Sequence, residues 1–368
     1  MKANKLFMST LFLFTFVLLD VDWGQSSSEV CKDCHSEEYQ EWSESIHSKS
    51  TPMKDVLFAK IYRKSQLDTE GKTKLYCIRC HVPVSTLNDD VDFKKEITRE
   101  GVTCDICHTA KTLTKEPKHW PIIYESDQDK LKSYRDFESS AHQKHYSSTF
   151  PNAKLCSSCH GAMIDIPEMQ GCSDLTICDT YGESLLVEKP QECQKCHQGH
   201  SFQGVHSEEM LKKAAKLNLE VAEFGGKINL VVNVTNNGTG HRLPTGPPTR
   251  MVYLKISVYD GEGNLLWTNF KENLMKEDPY GVFHIVFADS ADKAPAFPWL
   301  AAKIFKDTRM DAGESRTLIY KFSAEGVKKI ETKLFYRLAP ISLLDKFEIT
   351  DKYLRTPHLM TEVVYEIK

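Results

Sequence analysis

The sequence predicts an α plus coil first half with little regular structure, followed by an all-β sandwich of immunoglobulin-like character. Three observations predict it. One short cysteine and histidine motif occurs five times between residues 31 and 197; that segment is polar, with few apolar stripes from which to build a core of its own; and beyond Gly225-Gly226 the apolar residues fall into the period-two alternation of half-buried strands. At 368 residues, 40% hydrophobic and 27% charged, the chain has ordinary soluble composition and enough length for two domains.

Residues 1–25 read apart from the rest. Lys2 and Lys5 precede an apolar run from Leu6 to Leu19, which is followed by Asp20, Asp22 and small polar residues. That is the layout of a secretory signal, and the run is short for a membrane span needing roughly 20 apolar residues. With no second long apolar segment, the mature chain is expected to be exported, periplasmic or extracellular, without an integral membrane segment. A formal net charge of −4 disfavours nucleic acid as a partner, since that needs a basic stripe.

Ten of the twelve cysteines lie in the five motifs, each C-x-x-C-H: Cys31, Cys34 and His35; Cys77, Cys80 and His81; Cys104, Cys107 and His108; Cys156, Cys159 and His160; Cys193, Cys196 and His197. Two thiols three positions apart can each add to one vinyl group of a single haem, and the adjacent His then reaches the iron. Five motifs therefore predict five covalently bound haem c groups. Structural zinc would not require a His after every second Cys, and a disulfide framework would leave the five His unexplained. The remaining pair, Cys172 and Cys178, reads as a local disulfide in an oxidising compartment.

A segment carrying a haem every few dozen residues must bury much of its surface against porphyrin, so short helices and coil are expected over residues 26–217. Residues 37–47 and 53–64 read as helical by composition. Ser207 caps a connecting helix expected over residues 207–217, with an acidic first turn. Strands are then expected around Ile228 to Val234, Val252 to Val258, Leu318 to Phe322 and Val363 to Ile367, in a β-sandwich domain over residues 218–368. Turn clusters at residues 236–240 and 260–264 separate such runs.

A haem with His on one face needs a second side chain or an open position on the other, and that choice separates electron transfer from catalysis. Nine His lie outside the motifs. His47, His119, His142, His145, His200 and His206 fall within the haem segment and are candidate distal ligands. His241 joins them because it sits in a rigid Gly/Pro loop, residues 240–248, able to face the neighbouring domain. His47, His119, one of His142 and His145, one of His200 and His206, and His241 would supply five distal ligands for five haems. Met53 or Met163 could replace one of them, whereas His284 and His358 read as ordinary core or surface residues.

The run from Cys31 to His35, then Trp42-Ser-Glu-Ser-Ile-His47, then Cys77 to His81, then Glu100-Gly-Val-Thr-Cys104 through His108, resembles the cytochrome c-554 type multihaem family, related to hydroxylamine oxidoreductase. The resemblance covers residues 31 to about 206. It implies that His47 serves the haem of His108, that His119 serves that of His35, and that His142 or His145 serves that of His160. It further implies that the haem of His81 is where an open iron face would lie. The family type carries four haems, so the fifth motif and the β domain are additions, and His200, His206 or His241 would close the extra positions.

The function expected is a relay of electrons between redox partners, such as other cytochromes or a membrane quinol-oxidising complex. The alternative is a multihaem oxidoreductase acting on a small nitrogen or sulfur compound at a five-coordinate haem. A docking role for the β domain is compatible with either. No catalytic constellation is visible in it, because the Gly-rich stretch at residues 238–246 lacks the Lys of a phosphate loop.

Overall fold

The computed structural model describes residues 26–113, 122–124, 131–133, 144–146, 153–161, 180–185 and 193–367. The presumed signal, His119, His142, Met163, Cys172 and Cys178 lie outside these residues. Up to residue 214 the described chain is short helices and coil, with two small strand pairs: β1 (Ala110–Leu113) antiparallel to β2 (Ile122–Tyr124), and β3 (Leu131–Ser133) parallel to β4 (Lys144–Tyr146). Each motif rides on a helical turn: Ser28–Cys31 opens the first, and Lys74–His81, Cys104–His108, Lys154–His160 and Cys193–Cys196 carry the others.

The helices are shorter than composition predicts, and capping explains where they break. Residues 37–47 divide into Ser36–Glu44 and Ile46–Lys49, because Ser45 is extended (φ −70°, ψ 163°) and its Oγ accepts from Ser48 N at 3.3 Å as an N-cap. The next helix is Val56–Asp68 rather than residues 53–64, started by Asp55, whose Oδ1 accepts from Phe58 N at 2.9 Å. Phe58 and Tyr62 from this helix pack on Ile78, Val82 and Phe93, a small core beside the second motif. Ser207 caps Glu208–Ala214 as expected, but Ala215 turns extended and Leu217 already belongs to a strand.

The C-terminal region is a β-sandwich. Its first sheet runs in the order β12 (Ser315–Ser323), β6 (Lys227–Thr235), β5 (Lys216–Phe224). The second runs β14 (His358–Glu366), β13 (Lys329–Arg337), β7 (Met251–Tyr259), β8 (Leu265–Thr268), with β9 (Val282–Phe283) also on β7; a separate hairpin joins β10 (Ile285–Ala288) to β11 (Lys303–Asp307). All these pairs are antiparallel. Alternate residues bury between the sheets: Ile228, Leu230, Val232 and Val234 from one face meet Val252, Leu254, Ile256, Val258, Ile330 and Leu334 from the other.

The two halves are held against each other by apolar and polar contacts. Ile61 and Tyr76 pack on Ile285, Phe287 and Trp299, and Leu57 packs beside Leu344. Trp299 Nε1 donates to Asp68 Oδ2 at 2.9 Å. On the other side, Arg309 Nη1 pairs with Glu183 Oε1 at 2.6 Å with both side chains under 10% exposed, and Thr245 donates to Glu183 Oε2 at 2.5 Å.

Candidate multihaem site

The first and third motifs are brought together by the residues that flank them. Trp42 is buried and its Nε1 donates to Val102 O at 2.7 Å; Val102 N donates to His47 O at 2.9 Å. Between these, Gly101 sits at φ +81°, and a Cβ there would lie 2.3 Å from His47 O, so the Glu-Gly-Val stretch before the third motif needs its glycine. Glu100 Oε2 accepts from Ser28 N at 2.9 Å, which ties the start of the first motif to the same segment.

The motif thiols lie near one another across motifs: Cys31 and Cys104 are close enough to shift each other's pKa values, as are Cys80 and Cys159, and Cys193 acts in the same way on Cys156, so the first motif adjoins the third, and the fourth adjoins both the second and the fifth. Cys107 lies close enough to Cys156 and Cys159 for its charge to act on them, which links the two groups. None of the ten motif cysteines is in a disulfide, and among the described residues no cluster of three or more His, Cys, Asp or Glu is gathered as a metal-binding group.

The imidazoles fall into facing pairs. His47 and His160 have ring centres 6.2 Å apart, and His108 and His200 likewise stand 6.2 Å apart with planes 14° from parallel. That is too far for direct ring contact, and it is the spacing two imidazoles adopt when one metal ion sits between them at bonds of about 2 Å. The resemblance implied His47 opposite His108. In the structure the ring of His160 stands 6.2 Å from that of His47, at 55° to it, and His108 has the ring of His200, 92 positions further along the chain, at the same distance. The reason lies in residues 199–200: His200 N donates to Glu41 Oε2 at 2.7 Å, and Gly199, at φ +68°, lets the loop close on that carboxylate.

His81 and His160 retain exposed surface, yet burial by the surrounding protein lowers the pKa values of both, that of His81 to about 4. His47 is pushed down to about 3 by burial and by the His160 and His197 rings. Arg79, inside the second motif, has a buried Nε with no hydrogen-bond partner. Paired cysteines one helical turn apart, facing imidazoles and an orphaned buried guanidinium nitrogen fit covalent haem with its axial ligands and carboxylates.

The other candidates are placed as follows. His241 has Nδ1 2.9 Å from Arg242 O, and burial lowers its pKa, with the His197 and Arg250 charges adding to the effect. His197 Nδ1 lies 2.5 Å from Gln203 O. His206 Nδ1 is 3.1 Å from the Tyr353 hydroxyl, and its ring stacks on Tyr353 beside His358. His145 lies on β4, in register with Lys132. Met53 is 51% exposed and its Sδ accepts from the Thr51 hydroxyl. His284 is buried in the β region, as expected of a core residue.

Several residues at the site carry no motif signal. Phe58 stacks on the His81 ring at 3.9 Å and 9°, and Phe202 sets its edge 4.6 Å from His47 and 6.2 Å from His200. Ser50 Oγ lies within 2.8 Å of the His47 and His81 carbonyl oxygens. Phe202 lies between two His that the sequence does single out. Glu41, Phe58 and Ser50 belong to unremarkable polar or helical stretches.

Residues 30–109 match the family described as "Cytochrome c554 and c-prime". No curated protein matches the chain. Among solved structures, a penta-heme cytochrome c552 from Thermochromatium tepidum is 28% identical and superposes with a TM-score of 0.83 over 94% of this chain and 100% of that one. A β-glucosidase from Kluyveromyces marxianus in complex with glucose reaches a TM-score of only 0.18, at 10% identity over 42% of this chain and 14% of that one, and has no bearing on the fold. With its repeated C-x-x-C-H motifs, the c554-type segment and this likeness along nearly the whole chain, the protein is a multihaem c-type cytochrome with covalently bound haem c, an electron-transfer protein by class.

Proposed function

We propose that the protein carries five haem c groups with both axial faces of the irons occupied, and relays electrons between redox partners outside the cytoplasm. Haem supplies a one-electron ferric/ferrous couple, and strong imidazole ligation on both faces holds it at low potential and away from substrates. The observation that carries this reading is the pair of facing imidazoles, His47 with His160 and His108 with His200, each at 6.2 Å.

On this reading His35, His81, His108, His160 and His197 are the proximal ligands, and the paired motif cysteines form the thioethers. His47 serves the haem of His160, and His200 that of His108. His241 serves the haem of His197: its Nδ1 is engaged by a backbone carbonyl, leaving Nε2 for metal, and His197 is near enough to lower its pKa. His119, and one of His142 and His145, remain for His35 and His81. His206, bonded to Tyr353, drops to a supporting role.

The cross-motif thiol contacts support a relay, because they put the haem attachment points side by side in an unbroken series. The likeness to a penta-heme cytochrome supports the count of five. Among the described residues no helix is long and apolar enough to cross a membrane. Together with the N-terminal signal pattern, the working location is periplasmic or extracellular, with another cytochrome or a quinol-oxidising complex as donor. The division into a signal, a haem domain over residues 26–217 and a β domain over 218–368 follows the same reading, and β5 adds a strand that starts at Lys216.

Electron paramagnetic resonance of the oxidised, fully loaded protein tests it. Low-spin ferric signals alone are expected. A high-spin signal of one haem's intensity would overturn full ligation and favour an oxidoreductase with its open iron face at the haem of His81.

A further inference from the structure

The ring plane of an axial imidazole is not set by its own rotamer. The last torsion of a His side chain joins an sp³ to an sp² carbon and has a broad, two-fold profile, so neighbours decide the angle. A metal-bound His is ordinarily oriented through its other ring nitrogen, which bonds a carbonyl or carboxylate. His197 and His241 are held in that way, with Nδ1 2.5 Å from Gln203 O and 2.9 Å from Arg242 O. No described residue is hydrogen-bonded to a ring nitrogen of His81; Ser50 Oγ reaches its backbone oxygen, at 2.7 Å.

His81 has a flat aromatic neighbour instead. The Phe58 ring lies 3.9 Å from the His81 ring and 9° from parallel to it. Face-to-face contact is the geometry that resists turning: a bond from ring nitrogen to iron lies in the imidazole plane, so rotation about it swings one edge of the imidazole into the Phe58 face. Phe58 is itself held in place. It is 9% exposed, packs with Tyr62, Ile78, Val82 and Phe93, and its backbone N–H is the one that Asp55 Oδ1 caps at 2.9 Å. The helix that carries it, Val56–Asp68, is fastened to the sandwich before and after this position in sequence: Leu57 packs beside Leu344, Ile61 packs on Ile285 and Trp299, and Asp68 accepts from Trp299 Nε1.

We propose that Phe58 is a positioning residue for the haem of the second motif, and that its stacked ring fixes the plane of the His81 imidazole. This rests on the reading that His81 is an iron ligand. The orientation of an axial imidazole governs how its π system overlaps the iron d orbitals, and with it the g values of the ferric haem. Phe58 acts through His81 and does not itself bind iron. The aromatic stack takes the orienting part that a hydrogen bond at Nδ1 plays for His197 and His241.

The test uses the haem-loaded protein with Phe58→Leu, Phe58→Tyr and Phe93→Leu, read by electron paramagnetic resonance of the fully oxidised form and by haem content per chain. In F58L the g values of one haem are expected to move, while the other signals overlay the wild type and haem content holds. F58Y keeps a flat ring against His81 and is expected to restore the wild-type spectrum. F93L loosens the same small core without removing the stack, and is expected to leave every signal in place. Phe58→Met, which has no flat face, replaces F58L if that variant does not accumulate. An unchanged spectrum in F58L overturns the proposal, and so does the same shift in F93L, which would trace the effect to packing in general. A new high-spin signal in F58L also overturns it, since Phe58 would then support iron ligation rather than ring angle. A wild type that already shows one high-spin haem would remove full axial ligation, and the shift in F58L is then read in that signal. Absence of haem from the wild-type peptide holding Cys77 and Cys80 would instead remove the underlying reading.

Discussion

Glu41 and His200 lie 159 positions apart in the chain, and the structure joins them through a backbone hydrogen bond and a carboxylate 4.0 Å from the imidazole Nδ1. A negative charge beside an axial imidazole favours the ferric state and orients the ring. Glu41→Gln is therefore expected to raise the potential of one haem and leave the others, as read by spectroelectrochemical titration; a uniform shift would contradict the contact. His200→Ala is expected to convert about one haem in five to high-spin ferric iron, the haem bound by His108. Motif residues could be read from sequence because their chemistry is local: two thiols and an imidazole within five positions. Glu41, Phe58 and Phe202 could not, because their contacts come from tertiary approach and no spacing rule encodes it. The same limit holds for His47: its candidacy as a ligand comes from its place in the sequence, and its nearness to the ring of His160 from the fold alone.

Gly101 illustrates how a single backbone conformation shapes an element. Its positive φ and its approach to His47 O let the helix after the first motif lie against the segment that begins the third. Gly101→Ala is expected to lower stability by about 1–3 kcal/mol, measured by thermal unfolding of the loaded protein, because both backbone strain and a contact with a carbonyl oxygen must be relieved. In the sandwich, Leu254 is fully buried between the sheets, and Leu254→Ala is expected to destabilise by about 2–5 kcal/mol. The strands were visible in the sequence because alternate burial imposes a period of two, and β6, β7, β12 and β14 lie where that alternation occurs. The same signal at Leu217, Leu219 and Val221 marks β5, which composition had assigned in part to the preceding helix. Helix limits were less visible, since Ser45 and Asp55 end or begin helices by capping geometry that composition does not register.

The two halves of the chain are joined through a seam that is part apolar and part ionic. Breaking the enclosed Glu183–Arg309 pair by Arg309→Met would leave a buried carboxylate whose pKa is already raised by desolvation, and is expected to cost about 3–5 kcal/mol of stability. Differential scanning calorimetry of the loaded protein checks it; no change would mean that the seam does not depend on that pair. The arrangement of the whole chain was only partly visible beforehand. Two successive regions could be read from motif density and strand period, but their mutual docking depends on Trp299, Asp68, Glu183 and Arg309, which no motif flags. Each C-x-x-C-H motif is expected to hold a haem. Intact mass spectrometry of the exported protein under denaturing conditions measures this most directly, since thioether-bound haem survives unfolding. Five haem additions to a single chain are predicted. A mass with fewer, or with metal ions lost on denaturation in their place, would contradict it.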